Sequence, residues 1–228
     1  MDEWGKDEML VHLEASGIVP AAVRDHSAVA TVDAQIEACG GLPGVPIKNL
    51  LLKAKGKLIV VTALKSTAVD LKALGRRLNG SLRLASADLL AEIFKVPQGG
   101  LSPLAFCRAA ARERCSLLLD DRLRDAPALW VHPCTNDATV VLSGAQLTSV
   151  LDQLQVRVHF ADLEAAGTPG DLEAALTAPA VKFQERMPSE KFVAPPKHSG
   201  APRAMSTEGE GLPRCVCGLC SAGGAAAR

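Results

Sequence analysis

Four places in the chain carry residue types able to do chemistry: Lys48-Asn49, Gly99–Pro103, His132–Asn136 and His26. Lys48 lies within IKNLLLK, a run that reads as a strand. In a pocket its amine would offer a cation to a phosphate, or to charge developing on an ester. On an open strand it would face solvent. Gly99-Gly100-Leu101-Ser102-Pro103 is rich in glycine, which lets a backbone approach a ligand and turn N–H groups toward it. The same composition also builds ordinary surface loops. His132 opens HPCTN at a strand end, where an imidazole could act as a base, donate a hydrogen bond or cap a loop. His26, in RDHSAVAT, carries no signal by itself.

Several familiar signatures are missing. There is no GxxxxGK(S/T) phosphate loop, no GxGxxG opening a helix, no GxSxG elbow and no HExxH pair. The central part of the chain holds no compact His/Cys/Asp zinc set. Cys215, Cys217 and Cys220, with His198 at a distance, have the flavour of metal ligands, a redox site or a lipid anchor. They read equally as free thiols in an unstructured tail. The seven cysteines are irregularly spaced and do not form a disulfide framework.

The elements that must position these residues can be read from periodicity. Helices are predicted over 7–16, from an N-cap at Thr31 to Gly40, over 70–78, after Ser86 through Phe94, and after Ser143 through Leu154. Strands are predicted at 18–23, 46–53, 58–64, 115–119, 128–132, 139–142 and 156–163. Lys55-Gly56-Lys57 would turn the second of these into the third as a hairpin. Strands and helices interleave without a regular βαβ rhythm, so the expected fold class is a mixed α/β (α+β-like) domain over residues 1–165. Past residue 166 half of the fourteen prolines fall in the last 63 residues, which predicts a low-complexity tail over 166–228 with one short helix at 171–176.

Hydrophobic residues make up 48% of the 228, enough to bury a core, while aromatics are only 3%. Net charge is zero but uneven. Residues 48–80 hold Lys48, Lys53, Lys55, Lys57, Lys65, Lys72, Arg76 and Arg77 against Asp70 alone. Such a patch attracts phosphate, or else forms a solvated face. The N-terminus is acidic and lacks an apolar leader, and no run is long enough to span a membrane, so a cytoplasmic protein with no membrane partner is expected.

Taken in order, MLVHLEASGI, DHSAVATVDA, GLPGVPIKNLLLK, LKSTAVDLKALGRRL, RLASADLLAEIF, GGLSP and HPCTNDATVVLS resemble the prolyl-tRNA-synthetase-associated (YbaK/ProX-like) editing family. The resemblance covers residues 9 to about 163. Its most specific pieces are the KN pair, the GxxxP loop from Gly99 to Pro103, and HPxTNxAT from His132 to Thr139. It implies a curved mixed sheet approaching a barrel, flanked by helices. It also implies a freestanding enzyme that cleaves the ester of a mischarged tRNA in trans, of the alanyl-tRNA-Pro deacylase type. Such an enzyme would meet the acceptor end of tRNA-Pro, and its partners could include prolyl-tRNA synthetase or a synthetase complex.

Under that resemblance no metal and no cofactor is expected, and Lys48, Gly99 and His132 are the catalytic candidates. Asn49, Gly100, Ser102, Pro103, Asn136 and His26 would bind substrate, and Lys53, Lys55, Lys57, Arg76 and Arg77 would bind tRNA. Three features depart from the pattern: Ser27 replaces a proline, Leu104-Ala105-Phe106 stands where Phe-Gly-Leu is usual, and CRAAARER replaces the next segment. They bear on which amino acid is preferred. Two alternatives remain: a non-catalytic module of the same fold that only holds tRNA or a synthetase, and a deacylase for cysteinyl-, seryl- or threonyl-tRNA.

Overall fold

The computed structural model describes residues 4–176. Strand β2 (Val45–Ala54) and β3 (Lys57–Leu64) form the expected hairpin, with Ala54 opposite Lys57 and Ile47 opposite Leu64. Gly56 sits at φ +73° in the turn, the left-handed region that glycine enters without strain. Around the hairpin stand β1 (Ala22–Asp25), β4 (Arg83–Leu84), β5 (Cys115–Asp120), β6 (Leu129–Val131), β7 (Ala138–Leu142) and β8 (Val158–Ala161). The order is β1-β7-β6-β2-β3-β5-β8, with β4 added beside β2. The sheet is mixed: β2–β6, β3–β5 and β5–β8 are parallel, and the other pairings antiparallel. Its terminal strands β1 and β8 do not pair, so the sheet stays open rather than closing into a barrel.

Among the described residues six α-helices accompany it: α1 (Lys6–Ala15), α2 (Val32–Ala38), α3 (Leu71–Arg77), α4 (Ala87–Phe94), α5 (Ala109–Arg114) and α6 (Gly144–Gln153). Their starts follow local chemistry. Thr31 caps α2 by accepting from Ala34 N–H, and Asp70 caps α3 by accepting from Lys72 and Ala73. Ser143 and Gln146 form a reciprocal capping box on α6.

Both faces of the central hairpin are buried, which is why its sequence is nearly continuous in apolar residues. On one face Ile47, Leu51, Leu58, Val60, Leu117 and Leu119 pack with Met9 and Leu13 of α1, Ile93 and Phe94 of α4, and Leu147, Val150 and Leu151 of α6. On the other, Leu52, Ile59, Val61, Ala63 and Leu118 pack with Leu74 and Leu78 at α3. Leu163, Ala175 and Leu176 complete that second cluster. The packed chain therefore runs on to Leu176, past the expected end at 165. The short helix expected at 171–176 is one turn of 3-10 helix, Glu173–Ala175.

Candidate active site

Three loops meet at one end of the sheet: residues 26–31 after β1, 97–103 after α4, and 132–137 between β6 and β7. Hydrogen bonds fasten them together. His26 N–H donates to the Asp137 carbonyl at 2.9 Å, and Val29 N–H donates to that of Asn136 at 2.9 Å. The Asn136 side-chain amide donates to the Gln98 carbonyl at 3.0 Å. The Ser102 hydroxyl donates to the His132 carbonyl at 2.6 Å.

Gly99 is fixed twice over. Its φ is +91°, and a Cβ on it would lie 2.3 Å from the Val29 carbonyl oxygen and 2.7 Å from Ala30 Cα. No side chain fits there. Gly100 is also tight, since a Cβ would come within 3.1 Å of the Thr135 carbonyl carbon. Its N–H closes a turn onto the Pro97 carbonyl at 2.9 Å and is not left over for a ligand. The Gly99 N–H takes no acceptor among the described residues. Pro103 begins a buried turn of 3-10 helix, Pro103–Cys107.

Beside these loops lies a cavity of about 290 Å³. Ile47, Leu51, Leu90 and Leu101 give it an apolar wall, while Gln35, Asn49, Gly99 and His132 contribute polar groups. Ile47, Asn49 and Leu51 reach it together because alternate residues of a strand share a face. Asn49 stands opposite Thr62 on β3, and its carbonyl oxygen accepts the Thr62 hydroxyl at 2.7 Å. That contact orients the amide and leaves its N–H₂ for a ligand.

Lys48 follows the same alternation away from the cavity and is not among its lining residues. Its ammonium donates to the Lys65 carbonyl at 3.2 Å and to the Thr67 carbonyl. In this arrangement it holds the turn after β3.

His132 is 7% exposed and lines the cavity. Its Nδ1 lies 2.7 Å from the Ala138 carbonyl, which can only accept, so Nδ1 carries the proton and Nε2 keeps its lone pair. Burial pushes its pKa below the ordinary 6.5, partly opposed by the Ala138 bond and reinforced by the neighbouring His26. The ring is a neutral base at physiological pH.

His26 stands behind it, with ring centroids 5.9 Å apart. It does not line this cavity; it lines a neighbouring one with Trp4, Lys6 and Cys134. Its Nδ1 donates to the Ser27 carbonyl at 2.8 Å, and its Nε2 lies 3.0 Å from the Thr139 hydroxyl. The same hydroxyl accepts from the Gln35 amide at 2.9 Å. Gln35 and Thr139 are buried, and sequence reading did not single out either. A glutamine in the middle of a short amphipathic helix was the available signal for the first.

The basic stripe is not one open cation face. Arg77 is 6% exposed; its guanidinium meets the Asp171 carboxylate at 3.1 Å and donates to the Asp162 carbonyl at 2.5 Å. Lys55 pairs with Glu173 at 2.9 Å, and Lys57 donates to the Leu176 carbonyl at 2.6 Å. Residues 162–176 thus cover three of the five cations expected to bind tRNA. Arg76 lines a shallow cavity with Lys72 and Asn79, and Lys53 stands on β2 opposite Arg83 of β4. Cys215, Cys217, Cys220 and His198 lie outside the described residues.

This architecture has known relatives. A protein of Xenopus laevis named prolyl-tRNA synthetase associated domain-containing protein 1 is 31% identical over 166 residues, covering 68% of this chain and 96% of that one. The prolyl-tRNA editing protein ProX of Acetoanaerobium sticklandii is 34% identical over 108 residues, covering 46% of this chain and 65% of that one. A crystal structure described as that of a candidate trans-editing enzyme for prolyl tRNA synthetase superposes with a TM-score of 0.51 at 20% identity, over 66% of this chain and 91% of that one. At that identity the superposition speaks for the fold alone. Residues 26–150 match the aminoacyl-tRNA editing domain, a span that contains His26, the KN pair, the Gly99–Pro103 loop and the His132–Asn136 loop, and the chain belongs to that family.

Proposed function

We propose that this chain is a trans-acting deacylase that hydrolyses the ester between a misattached amino acid and the end of tRNA-Pro, with alanine its preferred amino acid. The observation that carries the reading is the 290 Å³ cavity, lined by the buried His132 and by Gly99, whose N–H has no acceptor among the described residues, together with the apolar Ile47, Leu51, Leu90 and Leu101. A small amino acid side chain would rest against Ile47, Leu51 and Leu101. The Asn49 amide would hold the aminoacyl end, and the Gly99 N–H would donate to the scissile carbonyl as it gains negative charge.

A water attacks that carbonyl, the ester C–O bond breaks, and the amino acid leaves as a carboxylic acid while the ribose oxygen takes a proton. His132 Nε2 is the group available to accept a hydrogen bond from this water or from the α-ammonium. Lys48 would meet a phosphate of the acceptor end only by exchanging its two carbonyl partners. Prolyl-tRNA synthetase, or a synthetase complex, would be the source of the mischarged tRNA. A cytoplasmic location is part of the same proposal.

The need for such an activity is physical. A synthetic pocket shaped for proline rejects a smaller apolar amino acid by only about 1–3 kcal/mol. A second, smaller cavity that admits alanine and excludes the proline ring restores the difference. The test is hydrolysis of tRNA-Pro charged in parallel with alanine, serine, cysteine and proline. Rapid loss of alanine with prolyl-tRNA left intact supports the reading. Faster loss of serine or cysteine keeps a deacylase and moves its specificity, while cleavage of prolyl-tRNA at the same rate contradicts the size-exclusion argument.

A further inference from the structure

Cys107 and Cys134 have no part in the hydrolysis described above, yet they are placed against each other with unusual surroundings. Their sulfurs lie 3.6 Å apart, and both residues are buried. The two are held by different segments, the 3-10 turn that follows Ser102 and the loop that carries His132. Cys134 adopts φ +61°, a conformation that non-glycine residues seldom take, and it turns its sulfur toward Cys107 and the Leu104 carbonyl.

Arg108 gives the pair its chemistry. It is 3% exposed, and its guanidinium stays charged in any protein environment. One of its nitrogens points at the Cys107 sulfur at 3.6 Å, and another donates to the Trp4 and Lys95 carbonyls. Its Nε is buried without a partner, and among the described residues it makes no ion pair with a carboxylate. An uncompensated buried cation is costly. The acids that touch it are thiols. The Cys107 hydrogen bond, with Arg108 beyond it, holds the Cys134 thiol below its ordinary range against burial, and the same bond pushes Cys107 up.

We propose that Cys107 and Cys134 form a redox site in which Cys134, which lines an open cavity, is the sulfur that a hydroperoxide oxidises and Cys107 is the thiol that closes a disulfide onto it. Cys134 loses its proton to solvent, its sulfur attacks the outer peroxide oxygen, and the O–O bond breaks. Cys134 becomes a sulfenic acid, and the departing alkoxide or hydroxide takes a proton from solvent. The Cys107 sulfur then attacks the sulfenic sulfur. The S–S bond forms and the S–OH bond breaks, with the hydroxyl leaving as water together with the thiol proton. Two thiols and one hydroperoxide thus give one disulfide, one alcohol or water, and one water. The oxidant would enter from the open cavity of about 510 Å³ that Cys134 lines beside Trp4, Lys6 and Thr135. The new bond would tie the loop bearing His132 to the turn behind Ser102.

The test uses the full-length reduced protein, treated with one equivalent of hydrogen peroxide, quenched by alkylation and mapped after trypsin. Cys107, Cys134, Cys39 and Cys115 fall on separate tryptic peptides, so each is read independently. The expected result is a Cys107–Cys134 cross-linked peptide that forms at least about tenfold faster than Cys39 or Cys115 is oxidised. Cys134→Ser should leave Cys107 fully open to alkylation after peroxide. Arg108→Lys should retain the cross-link. The proposal is overturned if both thiols are recovered alkylated when Cys39 is already oxidised, or if Cys134 proceeds to sulfinic acid with Cys107 still free.

Discussion

The Ser102 hydroxyl donates to the His132 carbonyl at 2.6 Å, so the glycine loop and the histidine loop share one buried hydrogen bond. Ser102 is fully buried and does not line the cavity, so it acts by holding the His132 backbone rather than by touching a substrate. Ser102→Ala removes one of two donors to the His132 carbonyl, the Cys134 N–H remaining at 3.0 Å, at a cost of about 0.5–1.5 kcal/mol. Denaturant unfolding of the variant should show that loss, and deacylation should fall with it because the His132 loop loses its tie to the glycine loop.

Gly99→Ala should be more severe. The new methyl group would meet the Val29 carbonyl and Ala30, and the backbone already sits at φ +91°. The 97–103 loop must move away from residues 29–30, which costs at least about 2 kcal/mol. Thermal unfolding checks the stability. A variant that remains folded should lose deacylation chiefly in kcat, since the N–H proposed for the carbonyl moves with the loop.

The depressed pKa of His132 has two consequences in pH. The folded state binds its proton less readily than the unfolded state, whose ordinary value is 6.5. Its contribution to stability is therefore complete above about 6.5 and declines as pH falls below that value toward the folded pKa. Urea unfolding of the protein and of His132→Gln should converge as pH is lowered through this window. If neutral Nε2 takes part in hydrolysis, the acidic limb of the kcat profile should lie below 6.5, and His132→Gln should remove that limb.

The segment after β8 should behave as part of the domain. Asp171→Asn weakens the partner of a buried guanidinium, and should destabilise by about 1–3 kcal/mol because Arg77 keeps its charge with less to balance it. Truncation after residue 165 removes Ala175 and Leu176 from their cluster as well, and should lower the melting temperature further. Scanning calorimetry on the two variants distinguishes the losses.

Much of this was legible in the sequence. The β2–β3 hairpin announced itself by a continuous apolar run around Lys55-Gly56-Lys57, and Thr31 and Ser143 marked the starts of their helices, while Asp70, read from periodicity as the first residue of its helix, is the cap. The resemblance implied a substrate-binding role for Asn136; in the structure its side-chain amide donates to the Gln98 carbonyl of the glycine loop. Other features depend on contacts distant in sequence. Helix α5, within CRAAARER, buries only Ala111 among its own residues, and β4 is two residues long and exists through its pairing with Leu52 and Lys53. Lys48 turned away from the cavity because neighbouring side chains of a strand take opposite faces and Ile47 and Leu51 face the core. The partners of Lys55, Lys57 and Arg77 were not legible, because the acids and carbonyls that engage them lie far along the chain (separations 85, 94, 118 and 119).

The most direct test of the central claim is single-turnover release of alanine from alanyl-tRNA-Pro with the protein in excess. Hydrolysis at least about a hundredfold faster than in buffer, the scale expected of one well-placed oxyanion donor, is the predicted result. Tight binding of the same tRNA with alanine lost no faster than in buffer would contradict it and leave a module that only holds tRNA.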